Sequence, residues 1–208
     1  SQNNNDIEKA NEFLRKKGLV KASKKTSREA KEGAIGFFSN EKNLVIIKVN
    51  SETDFAAKSD TFLDFIDELG KFAVEKNITN ISIEEFMELD FKGEKINDYF
   101  KNMIAKIGEN LILSELKIID VKQCNYSFYV HNSYRKNIGK IISVILYENN
   151  EINDSIKNLS KNLCMHIAAM KPESLDIDDL DNKIIDNEKN IQKELILNSG
   201  KPKEIVDK

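Results

Sequence analysis

The hydrophobic rhythm of this chain changes over one short stretch, and that change fixes the local architecture. Leu44-Val45-Ile46-Ile47 is a continuous apolar run rich in β-branched residues, the pattern of a buried strand. Phe62, Phe65, Ile66 and Leu69 then recur at helical spacing behind Ser59, a residue type suited to capping. The intervening Val49-Asn50-Ser51-Glu52-Thr53-Asp54-Phe55-Ala56-Ala57-Lys58 is therefore a strand-to-helix junction. Such junctions are places where a rigid scaffold presents side chains outward. Chemistry alone leaves two readings open. Phe55 is either a staple buried on the following helix or an exposed ring, and Asp54 is either a helix cap or a contact group.

Further elements follow from the same patterns. Residues 34–38 read as a strand joined to 44–49 by the turn Ser39-Asn40-Glu41-Lys42-Asn43. Ser82 and Glu85 form a capping box for a short helix carrying Phe86 and Met87. Ile96, Tyr99, Phe100, Met103, Ile104 and Ile107 predict a helix stopped by Gly108. Strands are expected over 111–121, 126–131 and 140–147, with a 132–137 tip longer than a tight hairpin needs. Together these give an α+β fold, a mainly antiparallel three- or four-stranded sheet with helices packed on one face. An N-terminal helix over 6–18, with Ile7, Ala10, Phe13 and Leu14 on one side, precedes it. A C-terminal helical part follows residue 150, where Ile152, Ile156, Leu159, Leu163 and Met170 make one stripe and 184–198 forms another helix. Pro172 ends the first of these helices.

Composition narrows the function. Of the residues, 40 % are apolar and 32 % charged, a globular balance, and the net charge of −3 gives no support for nucleic-acid binding. The basic run Arg15-Lys16-Lys17, Lys21, Lys24, Lys25 and Arg28 is either a solvated helix end and linker or a patch for an acidic partner. There is no apolar run of membrane-spanning length and no signal peptide, so no membrane contact is expected. Frequent Asn, Lys and Ile fit an AT-rich coding source. Cys124 and Cys164 stand far apart and read as free thiols.

Chemical motifs are wanting. Gly139-Lys140 lacks the earlier Gly and the following Ser or Thr of a P-loop, because Tyr134 and Ile141 occupy those positions. Asp176, Asp178 and Asp179 lack the glycine and terminal glutamate of a calcium loop. His131 and His166 are distant from each other and have no cysteine partners for zinc. No nucleophile elbow is present. No cofactor or metal is expected, and the chain reads as noncatalytic. His166 itself reads from chemistry as a satisfied histidine at the edge of the apolar stripe.

The junction motif resembles the V-N-x-x-T-D-F-V-A-[KR] signature of the elongation factor Ts family, with Ala56 in place of the usual Val. Cys164-Met165-His166-Ile167-Ala168-Ala169-Met170-Lys171-Pro172 is similar to the family's M-H-[IV]-A-A-x-x-P helix. Ile104-Ala105-Lys106-Ile107-Gly108-Glu109-Asn110 resembles its K-[IV]-G-E-N segment. Gly139-Lys140-Ile141-Ile142 resembles its G-[RK]-[IVL]-G strand without the second glycine. Asp6 to Gly18 looks like the last helix of a UBA-like module, and Leu197 to Ile205 like the start of a coiled coil. The resemblance implies a remnant UBA-like helix and linker over 1–32 and an α+β core subdomain over 33–150. It implies a partial helical subdomain leading into the coiled coil over 151–208. It also implies a guanine nucleotide exchange factor for the translation GTPase EF-Tu, acting without catalytic side chains. Thr53, Asp54, Phe55 and Ala56 would form a wedge, and Met165, His166, Ile141 and Ile142 would complete the contact. A homodimer through the coiled coil is a further implication, and the compartment would be a mitochondrial or plastid matrix or a bacterial cytoplasm. The rival reading is a noncatalytic interaction or scaffold module whose binding ignores nucleotide state.

Overall fold

The computed structural model describes residues 9, 13, 25–76, 78–148 and 153–198. The expected helix over 6–18, apart from Lys9 and Phe13, lies outside these residues, as do the start of the linker and the coiled-coil start beyond residue 198. Contacts divide the chain into two compact units, Ser1–Ala168 and Ala169–Lys208.

In the first unit, β1 (Glu32–Ser39) and β2 (Asn43–Ser51) form an antiparallel hairpin. Its turn is tied by Asn40, whose Oδ1 accepts from the backbone N–H groups of Lys42 and Asn43, both at 2.8 Å. Three more strands join the sheet, β5 (Leu111–Asp120), β6 (Asn125–Arg135) and β7 (Ile138–Tyr147), giving the order β5-β2-β1-β7-β6, antiparallel throughout. The sheet thus has five strands, where the sequence suggested three or four. All five join because β7 meets β1 only at Ile35–Gly139 and Gly36–Ile138, after which the β6–β7 hairpin curls over the far face. The sharp curl needs Gly139. A Cβ there would stand 2.6 Å from Val130 Cγ1 and 3.0 Å from the carbonyl oxygens of His131 and Asn132.

Alternation along β1 and β2 serves two cores. Ala34, Phe38, Val45, Ile47 and Val49 face the helices, while Phe37 and Leu44 face the curled hairpin. On the first face lie α1 (Asp54–Ala57), α2 (Asp60–Glu75), α3 (Ile83–Met87) and α4 (Ile96–Ile107). Phe62, Phe65, Ile66 and Leu69 of α2 are buried there, as the helical spacing requires. Ser59 caps α2, and Ser82 with Glu85 forms the complete capping box of α3. On the second face Phe37 stacks on Phe128 with centroids 3.9 Å apart, and Ile142 and Val144 close the cluster. Two details escaped the sequence patterns. A two-stranded ribbon, β3 (Asp90–Phe91) with β4 (Glu94–Lys95), turns at Lys92-Gly93. The expected long 132–137 tip is instead strand down to Arg135, with a bulge between Ser133 and Arg135 and a turn at Lys136-Asn137.

Helix α5 (Asp154–Met170) packs on the outer surface of the hairpin. Ser143 Oγ donates to the Cys164 carbonyl at 2.6 Å, the Ser127 and Ser160 hydroxyls meet at 2.6 Å, and Cys164 Sγ donates to the Ser127 carbonyl at 3.3 Å. The buried face is therefore Ser160, Cys164 and Ala168. Of the apolar stripe, Ile152 lies outside the described residues, Ile156 is half-buried, and Leu159 and Leu163 face outward, 69 % and 46 % exposed. Small side chains decide this orientation, because they let helix and hairpin backbones approach within hydrogen-bonding range. His166 follows the outward surface and is exposed.

Among its described residues, the second unit holds a 3₁₀ turn, Ile177–Asp179, and α6 (Asn182–Asn198). Asp176 caps that turn, its Oδ1 accepting from the Ile177 N–H at 2.6 Å.

Candidate functional site

The junction motif becomes a protruding tip. β2 ends at Ser51, whose hydroxyl donates to the Thr53 carbonyl at 2.9 Å. Thr53 is extended and is the N-cap of α1, its Oγ1 accepting from the Ala56 N–H at 3.2 Å. Asp54 is thus the first helical residue and not the cap, at the end of the helix where a carboxylate is favoured. It takes a hydrogen bond from Lys58 Nζ at 2.7 Å, which holds its carboxyl below the usual aspartate range. Lys58 is raised by the same pairing and lies 5.9 Å from the Tyr134 ring centroid. Beneath the turn, Ala56 and Ala57 are buried. Phe55 points the other way and is 84 % exposed. The staple reading of Phe55 is therefore excluded by its position.

The tip is fixed from a neighbouring segment. α4 ends at Gly108, whose φ of 87° is the left-handed cap that glycine adopts without strain. The next residue, Glu109, reaches across to Thr53. Its Oε2 accepts from the Thr53 N–H at 3.0 Å and its Oε1 from the Thr53 hydroxyl at 2.7 Å. The Asn110 N–H in turn donates to Glu52 Oε1 at 2.7 Å, and the Asn110 amide donates to the Arg28 carbonyl at 2.7 Å. Arg28 and Glu52 stand 3.4 Å apart as an ion pair. Glu52, Glu109, Asn110 and Arg28 were not singled out from the sequence as site residues. Glu52 belonged to the junction run, Arg28 to the basic run, and Glu109 and Asn110 to the 104–110 segment, but none of these signals pointed to a clamp on the tip.

The remaining candidate residues lie elsewhere in the first unit. Ile141 and Ile142 occupy adjacent positions on β7, paired with His131 and Val130 of β6. Both are half-buried, and Ile142 packs against the Phe37 cluster. Met165, 43 % exposed, and His166 present themselves on the outward surface of α5. The motif residues thus form a contiguous tip on α1, a strand pair on β7 and a helix pair on α5. Among the described residues, no group of three or more His, Cys, Asp or Glu is placed to hold a metal ion. No described helix is long and apolar enough to cross a membrane.

Comparison with known proteins agrees with these motifs. A family model described as elongation factor TS matches residues 52–208, including both the tip and α5. The chain belongs to the elongation factor Ts family. It is 34 % identical to elongation factor Ts of Ehrlichia ruminantium (strain Welgevonden) over 206 residues, covering 99 % of this chain and 71 % of the relative. It is 39 % identical to elongation factor Ts of Erythrobacter litoralis (strain HTCC2594), covering 98 % of this chain and 66 % of the relative. Elongation factor Ts of Halothermothrix orenii (strain H 168 / OCM 544 / DSM 9562) is 35 % identical, with 99 % and 68 % covered. This chain spans about two thirds of the length of such elongation factor Ts relatives.

Proposed function

We propose that this chain acts in translation elongation by promoting GDP release from EF-Tu, with Phe55 and Asp54 as the inserted wedge. Membership of the elongation factor Ts family supports the elongation role. The observation that carries the wedge reading is the exposure of Phe55, 84 %, on a turn that is capped above and buried below. The backbone beneath such a ring is already ordered, so entry into a cleft costs chiefly the ring's own rotamer freedom.

The mechanism asks nothing of acid–base chemistry. Only a difference in affinity between the nucleotide-free and loaded GTPase can shift its equilibrium. In a loaded GTPase, Mg²⁺ and backbone amides hold the phosphates. Burying Phe55 between elements near that site would gain roughly 1.5–3 kcal/mol if the ring is fully covered. Asp54, already ionised and at the helix start, would exchange its Lys58 partner for a polar group of the GTPase. By linkage, the chain weakens nucleotide binding by the same factor as nucleotide weakens the chain's own binding. Ile141, Ile142, Met165 and His166 would supply the contacts that hold the wedge in register.

In Phe55→Ala, circular dichroism should be unchanged while stimulated release of fluorescent GDP from EF-Tu falls at least about tenfold, or about 1.4 kcal/mol. Unaltered release would remove Phe55 from the mechanism. The scaffold reading expects capture of EF-Tu to be indifferent to excess GDP. A pull-down with and without the nucleotide separates the two.

A further inference from the structure

We propose that Glu109 is a positioning residue for the Phe55 tip, acting through Thr53, and that its consequence for exchange rests on the wedge reading above. A helix of four residues cannot hold itself, since nucleation costs more than one turn returns. Its geometry must come from outside. Thr53 is the point of attachment. A hydroxyl has one proton to give and lone pairs to receive with, and here both capacities are used. The proton goes to Glu109 Oε1 and a lone pair takes the Ala56 N–H. The Thr53 N–H goes to the other Glu109 oxygen. Both oxygens of one carboxylate therefore hold one residue, and hydrogen bonds to an ionised acceptor are the stronger kind.

The arrangement continues the sheet by other means. The last backbone pair between β2 and β5 is Ser51 with Leu111. Beyond it, Glu52 stands across from Asn110 and Thr53 across from Glu109. In each of these pairs a glutamate side chain accepts the N–H of the residue opposite. The crossed pair keeps the two segments in register after the backbone ladder has ended. Asn110, 1 % exposed, anchors the far side through the carbonyl of Arg28, and Lys25 Nζ donates to the Gly108 carbonyl. Residues 25–28 are therefore seated on the clamp that orients the tip.

The residue type at 109 is specific. Aspartate is a methylene shorter, so its carboxylate would stop short of the two Thr53 donors. Glutamine offers one acceptor oxygen where two donors wait. The chain contains no tryptophan, so Phe55→Trp places a single tryptophan at the tip, excited selectively over the five tyrosines at the red edge of the absorption.

In that background, time-resolved anisotropy should show a larger fast component for Glu109→Ala, an intermediate one for Glu109→Gln, and a similar increase for Thr53→Val. With Phe55 intact, Glu109→Ala should lower stimulated GDP release about fivefold to tenfold, as expected for a misplaced contact group. Glu109→Gln should recover part of that loss. In the Phe55→Ala background, Glu109→Ala should add nothing further. Unchanged tip anisotropy in all three variants overturns the proposal, as does an equal further loss without Phe55, which would mark a general loss of stability. A freed tip with unaltered release upholds the clamp and overturns the wedge reading instead. Should Glu109→Ala fail to fold, the Gln and Thr53→Val variants carry the same test.

Discussion

The α1 tip and helix α5 both expose apolar side chains, and they do so for opposite reasons. At the tip a single ring is turned outward by a dedicated scaffold of a cap, two buried alanines and a carboxylate clamp. On α5 Leu159, Leu163 and Met165 are outward because the opposite, small-residue face is the one that packs. Exposure at the tip is thus imposed by added interactions, and on α5 it is what remains when Ser160, Cys164 and Ala168 take the interior. The lesson concerns how to read an apolar residue in water. What holds the backbone beneath it says more than the residue itself.

Substitutions can break or sharpen this contrast. The largest effect is expected on α5's inner face, where Ala168→Leu forces a branched side chain against the hairpin. Overpacking should cost about 1–3 kcal/mol in urea unfolding, and an unchanged midpoint would mean that α5 does not pack through this face. At the tip, Thr53→Val removes the hydroxyl that caps α1, and loss of an N-cap costs about 1 kcal/mol. The same assay reads it. Leu163→Ser, on α5's outer face, should change stability by no more than about 0.5 kcal/mol, and a much larger loss would place that face in a core. The smallest effect is electrostatic. The lowered carboxyl of Asp54 favours the folded state above its unfolded value near 3.8, and this contribution fades as pH falls through the lower folded value. A carbon-detected NMR titration should show Asp54 returning towards ordinary aspartate behaviour in Lys58→Met.

Much of the fold was legible because its signals are local. The 44–49 run, the Ser59 cap, the Ser82–Glu85 box and the Gly108 stop each lie within a few residues of what they determine, and each element formed. The curl of the β6–β7 hairpin was not legible, since it depends on Gly139 meeting Val130 and on Phe37 finding Phe128. The direction of α5 escaped for a related reason. Periodicity reveals a stripe, but serine hydroxyls and close backbone approach chose the other side. The Glu109 clamp joins residues 56 positions apart, and only the pairing of β2 with β5 makes them neighbours. In the tip itself, T-D-F was visible as a junction, while the outward aim of Phe55 needed the buried alanines beside it.

One irregularity upstream governs this meeting. β5 carries an extra residue opposite β2 between Lys48 and Val49, so that Lys48 faces Glu115 but Val49 faces Leu113. The skipped residue, Ser114, is held by its hydroxyl, which donates to Asn50 Oδ1 at 2.6 Å. Like a single tooth inserted in a gear, it advances everything downstream by one position. Were Ser114 paired with Val49 in a regular ladder, Thr53 would mesh with Asn110 and meet an amide in place of a carboxylate. A serine inside an edge strand thereby decides which chemistry grips the root of the protruding ring.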